Sequence, residues 1–408
     1  MKVLFKPIGL ITALLAAAWL LHAPVFRAVG RWAEARVGAK ILAAGQGKVE
    51  NAAAFVEHRL VEALVLATVF WCLTLAVAWA ARRARPRPPF QRWLAMSLSG
   101  FAALNLLLAC AGRTVLFWTL LKLGGGTQNL AQFEIKRLLL SETSIRPRAV
   151  LLGSSQMRAQ VDENILNDLF AGRARAMELH FPGSRAADLL TVWRELRGAR
   201  PEIVTLYVSE ATFYTEGESP TAMVFHGLSD WPDRIATGGG WIPSRSEAYG
   251  MLGSVMPVFR MRDALGQRVL GDRLFNLQQE RGQAAITSDL GQRAAKLASG
   301  YRTGAEAETN YRALERLLGL CHQDGVRVLL VAGQLNPILE ERLPAGMRAE
   351  MLARLDAMAA RHPGVTRWRP DRQTPADYDD LTHVNREAAL RFTAALAGHL
   401  METGLVSP

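Results

Sequence analysis

Cysteine is scarce in this chain, with three in 408 residues. Cys72 and Cys110 lie within apolar runs and Cys321 stands alone downstream, so the polar part of the chain has no pair from which to build a disulfide. No Cys/His cluster has the spacing of a zinc site, and the eight histidines are scattered. A glycine-rich phosphate loop, a dinucleotide fingerprint and internal repeats are all missing. These absences turn attention from metal and cofactor chemistry toward chemistry that side chains perform alone; no cofactor is expected.

Acidic residues are also rare in one place. Residues 1–122 hold 15 of the 48 Lys and Arg side chains but only 4 of the 37 Asp and Glu, so the whole net charge of +11 lies there. The remaining 33 of each sign cancel. In the same region, residues 8–26, 60–81 and 93–111 are apolar runs of the length that spans a bilayer as a helix. Arg82, Arg83, Arg85, Arg87 and Arg92 crowd the short segment between the second and third runs, which marks that side as cytoplasmic. Wedged between two spans, the basic run has no room to act as a nucleic-acid patch. Three uncleaved spans then place everything after Arg113 outside; Leu21-His22-Ala23-Pro24 is a poor signal-peptide cleavage site. The basic residues of 27–59 run against this orientation. The expected organisation is a membrane region over 1–123, a linker over 124–145, and an extracytoplasmic domain over 146–404 with a helical insertion near 215–300.

From Arg148 onward, apolar strand-like runs alternate with helical patterns. Strands are expected at Arg148–Leu152, Met177–Phe181, Glu202–Val208 and Val326–Ala332. Helices are expected at Asp162–Phe170, Ala186–Leu196, from about Glu306, and at Arg386–Leu400. Such alternation predicts an α/β fold of three layers, a parallel sheet covered by helices on both faces, with ligands beyond the carboxyl ends of the strands. Ser155, Gly183, Ser209 and Asn336 all fall just after expected strand ends.

Ser155 follows the apolar run Ala149-Val150-Leu151-Leu152-Gly153-Ser154, the way a buried strand delivers a hydroxyl to a turn. Asp380-Leu381-Thr382-His383 places a carboxylate and an imidazole three residues apart, at a helix entrance. A serine hydroxyl needs an imidazole to take its proton, and the imidazole needs an orienting acid. Ser155, His383 and Asp380 are residues of the right types for those three roles. The plainer reading of each signal is a structural turn and a capped surface helix.

These segments resemble blocks of the SGNH (GDSL-type) hydrolases. Gly153-Ser154-Ser155-Gln156 is similar to their first block, Phe181-Pro182-Gly183-Ser184 to the second, and Asp380-x-x-His383 to the last. The third block departs, because Val208-Ser209-Glu210-Ala211-Thr212 stands where Gly-x-Asn-Asp is usual. The resemblance covers roughly residues 146–404 and is greatest to the membrane-anchored branch holding the D-alanine-transfer protein of lipoteichoic acid and the alginate and peptidoglycan O-acetylation proteins. It implies that Ser155 is the nucleophile and that the N–H groups of Ser155 and Gly183 hold the oxyanion. It further implies a multi-pass membrane-bound O-acyltransferase as partner and a polysaccharide as acyl acceptor, at the outer face of a bacterial cytoplasmic membrane. The opposing expectation is a non-catalytic glycan-binding or scaffold protein on the same fold.

Other residues carry two readings. Ser209, Thr212 and Asn336 are candidate substrate contacts, against a role in satisfying local backbone. Glu210 is expected at the site mouth, or as a solvated loop acid or a helix cap. Phe213, Tyr214, Phe225, Trp231 and Trp241 can stack on sugar rings or form the core of an insertion. His180 reads as a packed, hydrogen-bonded residue, and His226 has no partner visible in sequence.

Overall fold

The computed structural model describes residues 143–215, 219, 225–227, 230–238, 241–255 and 290–407, together with 12–21, 23–25 and scattered helical positions up to 141. The chain divides into two units, Met1–Leu123 with Val255–Ala264, and Gly124–Ser254 with Leu265–Pro408.

In the first unit, positions 12–21 and 23–25 are helical, and Leu14, Leu20, Leu21 and Val25 are exposed. Two hydrogen bonds link this segment to positions near 70: Trp19 Nε1 donates to Thr68 Oγ1 and Trp71 Nε1 to Thr12 Oγ1, each at 2.9 Å. Among the described residues no helix is long and apolar enough to cross a membrane. The runs expected as the second and third spans, 60–81 and 93–111, lie almost wholly outside the described residues, as does the segment 27–59.

The second unit is an α/β fold. In chain order its elements are β1 (Arg148–Gly153), α1 (Ser155–Gln160), α2 (Glu163–Phe170), β2 (Arg175–His180), α3 (Ala186–Leu196), β3 (Ile203–Val208), α4 (Glu210–Tyr214), α5 (Trp231–Ala236), α6 (Arg245–Val255), α7 (Leu290–Ala298), α8 (Ala305–Gln323), β4 (Arg327–Ala332), α9 (Pro337–Glu340), α10 (Met347–Arg361), β5 (Val365–Trp368) and α11 (Arg386–Glu402). The strands form one parallel sheet in the order β2-β1-β3-β4-β5. The crossover direction reverses at β1, so a crevice opens beyond its carboxyl end, beside β3.

β1 and β3 are buried along all six residues. Because side chains alternate across a strand, full burial means that both faces are covered. Leu151, Tyr207, Leu329 and Val331 pack with Met157, Leu166, Phe170, Phe392 and Leu396, so α1, α2 and α11 lie on one face. On the other, α8 packs against α3 and β4. The strand and helix positions expected from periodicity appear within two residues of their expected ends. α1, α9, α10 and β5 fall outside the expected elements: α1 has six residues, α9 four, and β5 four half-buried ones, Val-Thr-Arg-Trp, without an apolar run.

The stretch expected as a linker contains Phe133, Lys136 and Leu140, all buried. Phe133 packs on Phe181 and Phe225 with ring centroids 6.2 and 4.7 Å away. Within the expected insertion, the described residues include the helices α5, α6 and α7.

Candidate active site

The end of β1 is shaped by a glycine at its last position. A Cβ on Gly153 would lie 2.9 Å from the Met157 Cβ and 3.2 Å from the Tyr207 carbonyl oxygen, so the close approach of β1, α1 and β3 requires its absence. Ser154 then takes an extended conformation as N-cap of α1, its Oγ accepting from the Gln156 N–H at 3.3 Å. The turn leaves Ser155 as the first residue of α1, half-buried at the crevice. Gln156 is buried, and its Oε1 accepts from Ser209 Oγ at 2.6 Å, which pins the first turn of α1 to the end of β3.

His383 arrives on a loop braced from several sides. Tyr378 and Val384 form an antiparallel bridge, the Asp379 N–H donates to the His383 carbonyl at 2.9 Å, and the Asn385 N–H donates to the Asp377 carbonyl at 2.8 Å. Asn385 caps α11, its Oδ1 accepting from the Ala388 N–H. Asp380 divides its oxygens between two tasks. Oδ1 accepts from the N–H groups of Thr382 and His383 at 2.6 and 2.7 Å, while Oδ2 accepts from His383 Nδ1 at 2.7 Å. Partial burial alone would raise the Asp380 carboxyl, but the bonds from the imidazole and these N–H groups outweigh it and hold the group well below the usual carboxylate range. The same hydrogen bond raises the His383 imidazole above its ordinary value, against the opposing effect of burial.

His383 Nε2 lies 3.0 Å from Ser155 Oγ. An ionised Asp380 only accepts, so Nδ1 carries the ring proton and Nε2 offers its lone pair to the serine hydroxyl. Hydroxyl, imidazole and carboxylate thus form one hydrogen-bonded line, the arrangement by which a base activates a serine nucleophile. The His383 and Asp380 side chains are 36% and 39% exposed, so the line is open to solvent along its length.

Gly183 sits in the turn after β2 at φ +70°, with open space where a side chain would stand. Among the described residues no acceptor is paired with its N–H or with that of Ser155. Phe181 donates its N–H to the Gly153 carbonyl at 2.9 Å, which holds this turn beside the start of α1.

The remaining sequence candidates are placed differently. Ser209 is fully buried and bonded to Gln156, and Thr212 Oγ1 accepts from the Ser209 N–H at 3.0 Å. Both hydroxyls are engaged inside the protein. Asn336 is buried as N-cap of α9, and its Nδ2 donates to the Asp380 carbonyl at 3.0 Å, so it braces the acid's loop. Glu210 is neither solvated nor at the mouth: it is fully buried and paired with Arg348 at 2.6 Å. Burial raises its carboxyl despite the guanidinium. His226 does have a partner, with Nε2 3.5 Å from Asp188 Oδ1. Phe213 stacks on Tyr311 at 4.2 Å and Phe225 joins Phe133 and Phe181, so these aromatics are core; Trp241 is 73% exposed. A separate cavity of about 140 Å³ lies among Phe213, Tyr214, Arg302 and Glu306 and is lined by none of Ser155, His383 or Asp380. Among the described residues no group of three His, Cys, Asp or Glu side chains is arranged to hold a metal ion.

The supports supplied by Gln156 and Asn336 escaped the sequence reading. Gln156 closes the first block and Asn336 precedes a proline, and nothing local distinguishes either from a turn former.

No protein-family description matches the chain, and no curated protein does. Among solved structures it is similar to LAE5, an alpha/beta hydrolase enzyme from the metagenome of Lake Arreo in Spain, at 14% identity and a TM-score of 0.31, over 65% of this chain and 99% of that one. A likeness of that degree does not bear on chemistry, which rests on the geometry of Ser155, His383 and Asp380.

Proposed function

We propose that this chain is an SGNH-type serine O-acyltransferase or esterase acting on a cell-envelope or exported polysaccharide. The observation that carries the reading is the unbroken line from Ser155 Oγ through His383 to Asp380 Oδ2. In the first half-reaction Ser155 Oγ attacks an acyl carbonyl while its proton passes to His383 Nε2. The N–H groups of Ser155 and Gly183 receive the developing oxyanion. Collapse expels the leaving group, which takes the proton from Nε2, and leaves an acyl-serine. A glycan hydroxyl then gives its proton to Nε2 as it attacks the ester, and collapse returns the hydroxyl to Ser155; water in that role gives hydrolysis. Asp380 holds the imidazole tautomer and stabilises the imidazolium.

The half-exposed His383 and Asp380 suit a polymer acceptor, which cannot enter a closed pocket. Three apolar runs at the amino end support a membrane anchor in a bacterial cytoplasmic membrane, with the catalytic unit outside and a membrane-bound O-acyltransferase as acyl donor. The resemblance to the O-acetylation branch favours transfer over hydrolysis and an acetyl group as cargo.

One observation favours a second reading. The hydroxyls of Ser209 and Thr212 are engaged internally, so no side chain of the third block is free to replace the missing asparagine. A glycan-binding or scaffold protein with an idle serine fits that loss. Labelling of the detergent-solubilised full chain with a fluorophosphonate separates the two. Covalent label at Ser155, lost in Ser155→Ala, supports the enzyme; an unlabelled folded protein supports the scaffold.

A further inference from the structure

α1 buries Gln156, Met157 and Gln160 and leaves Ser155 and Arg158 on its open side. Three positions apart, the two share one helix face, and a long side chain at Arg158 leans toward the amino end where Ser155 sits. Beside them, His180 ends β2 directly opposite Gly153 of β1.

These residues belong to a supported line. Arg158 Nη1 lies 3.4 Å from His180 Nε2, and His180 Nδ1 lies 2.5 Å from Glu178 Oε1. A guanidinium only donates, so Nε2 accepts from it and Nδ1 carries the proton that Glu178 accepts. Behind Glu178, Lys136 Nζ donates to the Glu178 carbonyl at 2.5 Å and to Glu163 Oε2 at 2.7 Å, and lies 3.4 Å from Glu178 Oε2. Lys136 and Glu178 are only 9% and 8% exposed. Well-packed apolar residues usually serve stability as well as buried ions do, so a buried chain of charges that ends on an exposed arginine points to positioning of that arginine. Among the described residues no carboxylate lies within ion-pair distance of Arg158. Its planar fork matches the paired oxygens of a carboxylate or phosphate.

We infer that Arg158 anchors an anionic group, carboxylate or phosphate, of the glycan that Ser155 serves, and that His180, Glu178 and Lys136 are its positioning residues. The inference rests on the proposed function for its acceptor, but its test does not need turnover. The full chain carrying Ser155→Ala in detergent is titrated with three oligomers of equal length: an oligouronate, a glycerol-phosphate oligomer and a neutral glucan. One of the two anionic oligomers is expected to bind at least about tenfold tighter than the glucan, the size of effect given by a charge-assisted pair. The tighter one identifies the anion. Arg158→Gln should bring the anionic-to-neutral preference to about one, and Arg158→Lys should restore only part of it. His180→Ala should cut the preference several-fold, a readout that a loss of folding alone does not produce. Equal binding of all three oligomers by the parent, or an unchanged preference in Arg158→Gln, overturns the inference. Failure of Ser155 to label overturns the proposed function instead and leaves the binding result standing.

Discussion

His383 Nε2 reaches to 3.0 Å from Ser155 Oγ across 228 positions of sequence. The helix that follows His383 makes this contact possible. α11 packs on α1 and α2, with Phe392 on Tyr207 and the Asp162 N–H donating to Thr393 Oγ1 at 3.0 Å. The chain leaves β5 at one edge of the sheet and returns to the β1 side, which brings the Asp380–His383 turn over the start of α1.

Residues in one hydrogen-bonded line lose activity together. Ser155→Ala and His383→Ala should each lower kcat on a chromogenic acetyl ester by about 10⁴-fold or more, and the double variant should be little worse than either. Asp380→Ala should be the mildest, because it orients and does not react. Nearly additive losses would refute joint action.

The pH dependence has a definite sign. Turnover needs the neutral imidazole, and the Asp380 bond raises the pKa of His383, so the acid limb of activity should lie on the high-pH side of that given by an unpartnered imidazole. Asp380→Asn removes that support and should move the limb to lower pH while lowering the plateau. Stability follows the same couple with two limits. The lowered Asp380 contributes above its unfolded pKa and is lost as pH falls through its folded value. The raised His383 contributes below its unfolded pKa and is lost as pH rises through its folded one. Kinetic profiles of both proteins from mildly acidic to alkaline pH decide the matter, and superimposable limbs would rule out Asp380 as the cause.

The two adjacent serines should separate cleanly. Ser154→Ala removes the cap of α1 and should cost about 1 kcal/mol of stability while retaining fluorophosphonate label at Ser155. Gly153→Ala should cost about 1–3 kcal/mol, since its Cβ meets Met157 and the Tyr207 carbonyl. Thermal denaturation with labelling in parallel reads both; label at Ser154 in the parent would shift the nucleophile by one position.

The buried Glu210–Arg348 pair gives an asymmetric prediction. Burial raises the Glu210 carboxyl, so its charge is a burden near neutral pH, and Glu210→Gln should be near neutral or stabilising. Arg348→Met strands that carboxylate and should destabilise by about 3–5 kcal/mol. Equal losses in the two variants, measured by denaturant unfolding, would contradict the assignment of the pair's energetics.

Topology has its own test in reporter fusions. One placed after Arg87 should be active only in the cytoplasm, and one after Pro408 only outside, as expected from the basic segment between two apolar runs. An external signal at Arg87 would overturn the three-span arrangement.

Local features were legible in the sequence where one element carries the whole signal. Near-continuous apolar runs, interrupted only by Arg148 and Thr205, mark β1 and β3 because a strand buried on both faces has no solvent side to show. Asp380 and His383 could be paired from spacing alone, since three residues close within one turn. The short α1 and the half-buried β5 gave no such pattern, and the sheet holds them through neighbours distant in sequence. Chemistry at a distance was decided by tertiary structure alone. Gln156 meets Ser209, Asn336 meets Asp380, Glu210 meets Arg348, and His180 meets Arg158, each pair far apart in sequence except the last. The reason is physical: periodicity and turn chemistry report what a residue does to its own backbone. The partner of a buried polar group is chosen by whichever strands the fold sets side by side.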